Sequence, residues 1–274
     1  MIYYVNVAAP AGGNGSKEKP FNKIQNAADL AQAGDEVIVA PGIYREAVNP
    51  KNAGKPGKPI IYRSEKMLAA HITGAEPAKK WEKVDGNVYF TRIPNAIFGD
   101  FNPYTTLVSG DWFIAYMTAH LGDIFLNGKS MYEVKTLDEV KNPKIFNLSW
   151  DPDFTLYTWY TEQDQAKNET LIYANFQGTD PNKADVEYTV RKNCFYPEAE
   201  GIGYINLCGF KVSKAASQWA PPTAYQEGMI GPHWSKGWII EDCEVFEAKC
   251  SGISLGKYKQ PENDNKWLKW KYKD

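Results

Sequence analysis

The sequence predicts an all-β protein built on a right-handed parallel β-helix, with a short capping helix near its N-terminus and a small β-sandwich inserted into it. Three observations carry this. An opening strand is followed by a small-residue amphipathic segment and then by the buried-strand run Glu36-Val37-Ile38-Val39-Ala40. Short alternating segments divided by turn formers fill the middle of the chain. Two late segments align residue by residue, as the turns of a solenoid do.

Residues 1–72 read as the cap and the first coils. Ile2 to Val7 is strand-like, and Ala11-Gly12-Gly13-Asn14-Gly15-Ser16 is a loop of turn formers. A helix is expected from about Asn22 to Ala33, with Ile24, Ala27, Ala28 and Ala31 on one face and Gly34-Asp35 as its stop. Such a helix covers the apolar end and open strand edges of a first coil. Pro41-Gly42-Ile43-Tyr44 then turns the chain toward a further strand at Lys58 to Ser64.

Residues 73–186 change pattern. Asn87–Thr91, Asp123–Leu126, Leu156–Tyr160 and Thr170–Ala174 alternate apolar and polar positions, and Asn127-Gly128 is a hairpin dipeptide. These predict the inserted sandwich. In residues 187–256 the stretch Tyr204 to Ala215 aligns with Gly237 to Ala248, placing Leu207 over Ile240, Phe210 over Cys243, Val212 over Val245 and Ala215 over Ala248. A loop from Gln218 to Ser235 bulges between them. Residues 257–274 read as a polar loop leading to further C-terminal coils, because a solenoid needs a polar cap at each end. An uncapped last coil is a ready site for pairing, so a homo-oligomer formed there is an expectation.

Composition narrows the function classes. Lys and Arg total 31 against 33 Asp and Glu, so no global field draws the chain to nucleic acid or to an anionic membrane. No basic-then-apolar leader opens the chain and no apolar run reaches the ~18 residues of a span, which predicts a cytoplasmic protein. The four cysteines show neither paired nor zinc-type spacing, and no calcium-loop pattern appears; neither a metal nor a cofactor is expected. With 9 Trp and 17 Tyr, aromatic residues exceed what a core demands, and exposed rings suit the C–H faces of sugars. Half-buried pleats favour the same residues.

Longer motifs add a resemblance. Phe98-Gly99-Asp100-Phe101-Asn102-Pro103-Tyr104, Gly110-Asp111-Trp112, His120-Leu121-Gly122-Asp123, Tyr173-Ala174-Asn175-Phe176-Gln177-Gly178, Asn193-Cys194-Phe195-Tyr196-Pro197 and Trp234-Ser235-Lys236-Gly237-Trp238 are similar to the N-terminal region of glycoside hydrolase family 120. The resemblance implies a pectate-lyase-like β-helix interrupted by an immunoglobulin-like sandwich. It also implies a β-xylosidase that releases xylose from xylo-oligosaccharides with retention. Retaining glycosidases use two carboxyl groups about 5 Å apart, and the family places them past Asp274, so no catalytic residue is assigned in this chain. The chain alone is then expected to be inactive. His233 departs from the family pattern, which implies a smaller amide residue there.

Six residues are candidates for sugar contact. The resemblance puts the loop carrying Asp111 and Trp112 toward the active site, and Trp112 is the first choice. Trp219, His233 and Trp234 belong to the excursion between the aligned repeats, where solenoid loops build clefts. His120 offers a donor to a hydroxyl. Two rivals differ in prediction: a polyuronate lyase would yield an unsaturated product and need a basic cleft, and a non-catalytic carbohydrate-binding module would bind without turnover.

Overall fold

In the computed structural model, residues 1–110, 113, 119–219 and 227–256 are described. They divide into two compact units. The first holds Met1–Gly74 and the residues from Arg191 onward, together with Ser109, Gly110 and Phe113; the second holds Ala75–Val108 and the residues up to Val190.

The first unit contains two parallel sheets. One has five strands in the order Ile2–Val5, Glu36–Val39, Ile60–Ser64, Ile205–Cys208 and Ile239–Glu241. The other has four, Gly42–Tyr44, Ala70–Thr73, Lys211–Ser213 and Glu244–Phe246. Each is only three to five residues long. Leu207 pairs with Ile240 and Val212 with Val245, the register of the aligned repeats. The core between the sheets comprises Val37, Tyr44, Ile60, Tyr62, Ile72, Phe195, Leu207, Phe210 and Val212, all without solvent exposure. Phe195 sits edge-on to Tyr62 with ring centres 5.0 Å apart. Each large apolar side chain buried here contributes roughly 1.5–3 kcal/mol.

The expected fold class is corrected in three respects. The chain forms several separate sheets instead of one solenoid: outside the two parallel sheets, Val48, Phe195, Ile230 and Ile253 meet only through isolated bridges. Equivalent apolar positions dictate that two segments pair, but not how many faces close around them. The capping helix expected over 22–33 shrinks to the five residues Ile24–Ala28. Lys23 supplies no side-chain cap there, and the Glu46 carboxylate accepts from the amides of Ile24 at 2.9 Å and Gln25 at 3.0 Å instead. Alanines at 27, 28 and 31 are buried by packing without needing a longer helix.

The third correction concerns the second unit, whose sheets are not those of an immunoglobulin-like sandwich. One is antiparallel, in the order Lys129–Ser130, Ile124–Leu126, Val186–Thr189 and Ala75–Pro77. The other is mixed: Tyr132–Glu133 lies parallel to Thr158–Asp164, followed antiparallel by Glu169–Asn175, Val88–Pro94 and Glu82–Asp85. A second helix, Leu137–Lys141, interrupts the strands and is closed by a Thr136–Glu139 capping box. Trp159, Tyr104, Phe176 and Ile172 centre the core. Tyr104 is fully buried and its hydroxyl donates to the Asp123 carbonyl at 2.9 Å. Its ring lies where a Cβ on residue 122 would project, so Gly122 is needed for that close approach.

The chain leaves the first unit after Gly74 and re-enters at Arg191, whose amide donates to the Gly74 carbonyl at 2.9 Å. Among the described residues, no helix is long and apolar enough to cross a membrane, and no group of three or more His, Cys, Asp or Glu is placed to hold a metal ion.

Candidate functional site

Three groups of polar and aromatic side chains stand out, two in the first unit and one in the second. In the first unit, Gln218 organises the neighbourhood of Trp219. Its Oε1 accepts from the Trp219 amide at 2.9 Å and from the Ser109 amide at 3.1 Å. One amide oxygen thereby ties two stretches far apart in sequence. The Trp219 ring, partly exposed, packs against Phe113 with centres 6.2 Å apart. Asp111 and Trp112, the first-choice sugar contacts, lie outside the described residues.

The second group surrounds a polar cavity of about 200 Å³ lined by Ala47, Asn49, Asn193, Tyr196, Glu198, Glu227 and His233. Glu227 is held from two sides: Asn193 Nδ2 donates to its Oε1 at 2.9 Å, and Lys192 forms an ion pair with Oε2. The amide of Glu198 donates to Asn49 Oδ1 at 3.0 Å. His233 is buried, its Nδ1 is 2.7 Å from the Pro197 carbonyl oxygen, and its ring stacks on Tyr196 at 5.1 Å. A carbonyl only accepts, so Nδ1 carries the proton.

Backbone strain marks the same place. His233 has φ 47° and Trp234 φ 55°, two consecutive left-handed residues with Cβ atoms. Each such residue costs about 1–2 kcal/mol, and strain of this kind gathers where geometry is held for function. Gly256 permits it, since a Cβ there would stand 2.5 Å from the Trp234 amide nitrogen. Trp234 is half exposed and lines a shallow hollow of about 350 Å³ with Gly201, Ser235 and Lys236.

In the second unit, His120 is paired with Glu133. The carboxylate accepts from the His120 amide at 2.8 Å and meets ring Nδ1 at 2.5 Å. Glu133 is nearly buried while the imidazole is about a quarter exposed. A carboxylate behind Nδ1 fixes the tautomer and the ring plane, leaving Nε2 as the outward group. Asp242, Glu244 and Glu247 are all exposed, as their alternation with Cys243 and Val245 predicts.

Sequence reasoning missed Glu133, Gln218 and Glu227. Glu133 is 13 residues from His120 and Glu227 is 34 from Asn193, so nothing local announces either pair. Of the six candidate residues, the structure gathers His233 and Trp234 at one place and sets Trp219 beside Phe113. His120 belongs to the other unit.

Comparison with known proteins points to one family. Residues 78–188 match the glycoside hydrolase 120 insertion domain. The solved structure of XylC in complex with xylose is 44% identical, with a TM-score of 0.89 over 92% of this chain. The family 120 match is thus to the inserted stretch, and the likeness to XylC runs through most of the chain. It spans 41% of the XylC chain. A second structure, described as a glycoside hydrolase, covers 92% of this chain and 63% of its own at a TM-score of 0.56; at 10% identity it shows likeness of fold alone. The uncharacterized protein YwoF of Bacillus subtilis (strain 168) is 35% identical over 75 residues, which are 27% of this chain and 16% of YwoF.

Proposed function

We propose that this chain belongs to glycoside hydrolase family 120 and forms part of a β-xylosidase that removes xylose from xylo-oligosaccharides with retention of configuration. The observation that carries the reading is the 44% identity to XylC, a protein solved with xylose, sustained over 92% of the chain. Within it, Asp111, Trp112, His120, Trp219, His233 and Trp234 are the proposed sugar contacts. Polar groups held in fixed orientation beside aromatic faces fit a pentose, which offers hydroxyls around its rim and C–H bonds on its faces. Asn193, Glu227 and Tyr196 add such groups around the His233 cavity.

The nucleophile and the acid/base are proposed to lie in the part of the family's length that this chain does not span. A cytoplasmic location is part of the same proposal. The test is hydrolysis of an aryl β-xyloside and of xylobiose by the full-length protein, with the anomer of the first-formed xylose read by NMR. Release of β-xylose is expected. An unsaturated product from a polyuronate, or binding of xylo-oligosaccharide without turnover, would overturn the reading. Turnover by residues 1–274 alone would refute the placement of the catalytic pair.

A further inference from the structure

The turn over residues 232–235 carries more strain than a turn requires. His233 and Trp234 are consecutive left-handed residues with bulky side chains. Glycine adopts that conformation without the clash between Cβ and carbonyl. A turn alone would therefore be better served by glycine at either position. The chain keeps an imidazole and an indole there instead, which ties the strain to where those side chains go.

Ring and backbone of His233 are held separately. The Pro197 carbonyl oxygen lies 2.7 Å from Nδ1, and the Tyr196 ring stacks on the imidazole at 5.1 Å and 29°. Tyr196 is itself buried, and its place depends on Gly231. A Cβ on residue 231 would stand 2.9 Å from Tyr196 Cε2 and 2.4 Å from the Ser254 carbonyl oxygen. The turn is closed by Ser235 Oγ, 2.8 Å from the Pro232 carbonyl oxygen and 3.1 Å from that of Ile202. Against the strained pair lies Gly256, where a Cβ would meet the Trp234 nitrogen at 2.5 Å and the His233 Cα and carbonyl carbon at 3.2 Å. All three are backbone atoms, so no side chain can turn aside to make room.

We propose that Tyr196 and Gly256 are positioning residues, which set the His233 imidazole in a single pose at the wall of the polar cavity. The inference rests on the reading of His233 as a sugar contact. A left-handed residue points its Cβ differently from a right-handed one at the same place in the chain. Relaxing His233 to the right-handed region would therefore lift the imidazole off Tyr196 and away from the Pro197 carbonyl. Gly256 keeps the strained backbone sterically possible, and Tyr196 gives the ring a face to rest on. The pose is set before a sugar arrives, so binding need not order the ring. Misplacing such a group by about 1 Å lowers rate on the order of 100-fold.

The test makes Gly256→Ala and Tyr196→Leu in the full-length protein, with Tyr196→Phe as the conservative partner. Long-range ¹H–¹⁵N spectra of the histidines report the ring form, and kcat/KM is measured on xylobiose. Native His233 is expected in the Nδ1-protonated form alone. Gly256→Ala and Tyr196→Leu are expected to show a mixture of forms, and Tyr196→Phe to restore the single one. In the first two, kcat/KM is expected to fall roughly 10- to 100-fold, mostly through KM. Circular dichroism checks folding, and where Gly256→Ala does not fold, Tyr196→Leu decides. A ring form unchanged in both variants overturns the inference, as does an unchanged kcat/KM despite an altered ring. Native protein idle on xylobiose would refute the proposed activity instead, while the ring spectra, which need no turnover, still decide the positioning.

Discussion

Replacing Glu133 by Gln tests whether the pair it forms with His120 serves the reaction. The carboxylate makes two contacts with one residue, 2.8 Å to the amide and 2.5 Å to Nδ1. Gln keeps one acceptor and turns an NH₂ toward the other donor, so one charge-assisted hydrogen bond is lost at about 1.5–3 kcal/mol. If His120 touches the sugar in the transition state, the imidazole loses its fixed tautomer. A loss of about 2 kcal/mol then lowers kcat/KM roughly 30-fold. The full-length protein should be assayed on an aryl β-xyloside, with the imidazole nitrogens followed by ¹⁵N NMR to report the tautomer. Urea denaturation separates the two effects: because the imidazole is partly exposed, global stability should fall by less than the hydrogen-bond energy. Unchanged kcat/KM with a changed tautomer would mean that His120 is structural and does not meet substrate.

Phe195→Ala empties a site with no exposure between Tyr62 and Trp238 and should cost about 3–5 kcal/mol by chemical denaturation. A cost under 1 kcal/mol would mean the core collapses to fill it. Burial pushes the Cys194 thiol up to about 12 and Cys250 to about 11. Folded protein at pH 8 should therefore leave Cys194 unalkylated by iodoacetamide over hours, as read by mass spectrometry, while denatured protein reacts at once. Burial also raises the Glu46 pKa above its ordinary 4.5, outweighing the two amides that hold its carboxylate. The folded state then holds that proton more tightly than the unfolded state, so this group's contribution to stability falls as pH rises through 4.5 into the raised range. Glu46→Gln should flatten the pH–stability curve there, and an unaltered slope would refute the assignment.

Much of the local structure was legible in residues. The run Glu36–Val39, the strands ending in Ile60–Ser64 and Glu169–Asn175, and the register of Leu207 on Ile240 all follow from apolar spacing. The Asn127-Gly128 turn was legible too, with both residues at positive φ, 50° and 84°. The global architecture was not, because spacing reports which face of a strand is buried and says nothing of how sheets are separated or closed. Helix Leu137–Lys141 carries its signal in Thr136 and Glu139, a pattern that a strand-based reading passes over. For the candidate site, the sequence offered aromatic and histidine residues and Asp111. Glu133, Gln218 and Glu227 act through partners distant in sequence, which no local pattern reveals.

The hydrogen bond from the Arg191 amide to the Gly74 carbonyl brings the two ends of the inserted stretch together. A host whose break is closed so tightly could lose everything between and be rejoined by a short turn. Here that excision would not be neutral. Ser109 and Phe113, which brace Gln218 and Trp219, travel within the excised stretch. The insert and the wall beside Trp219 are therefore one heritable cassette: exchanging inserts between relatives would exchange part of the neighbouring surface in the same event.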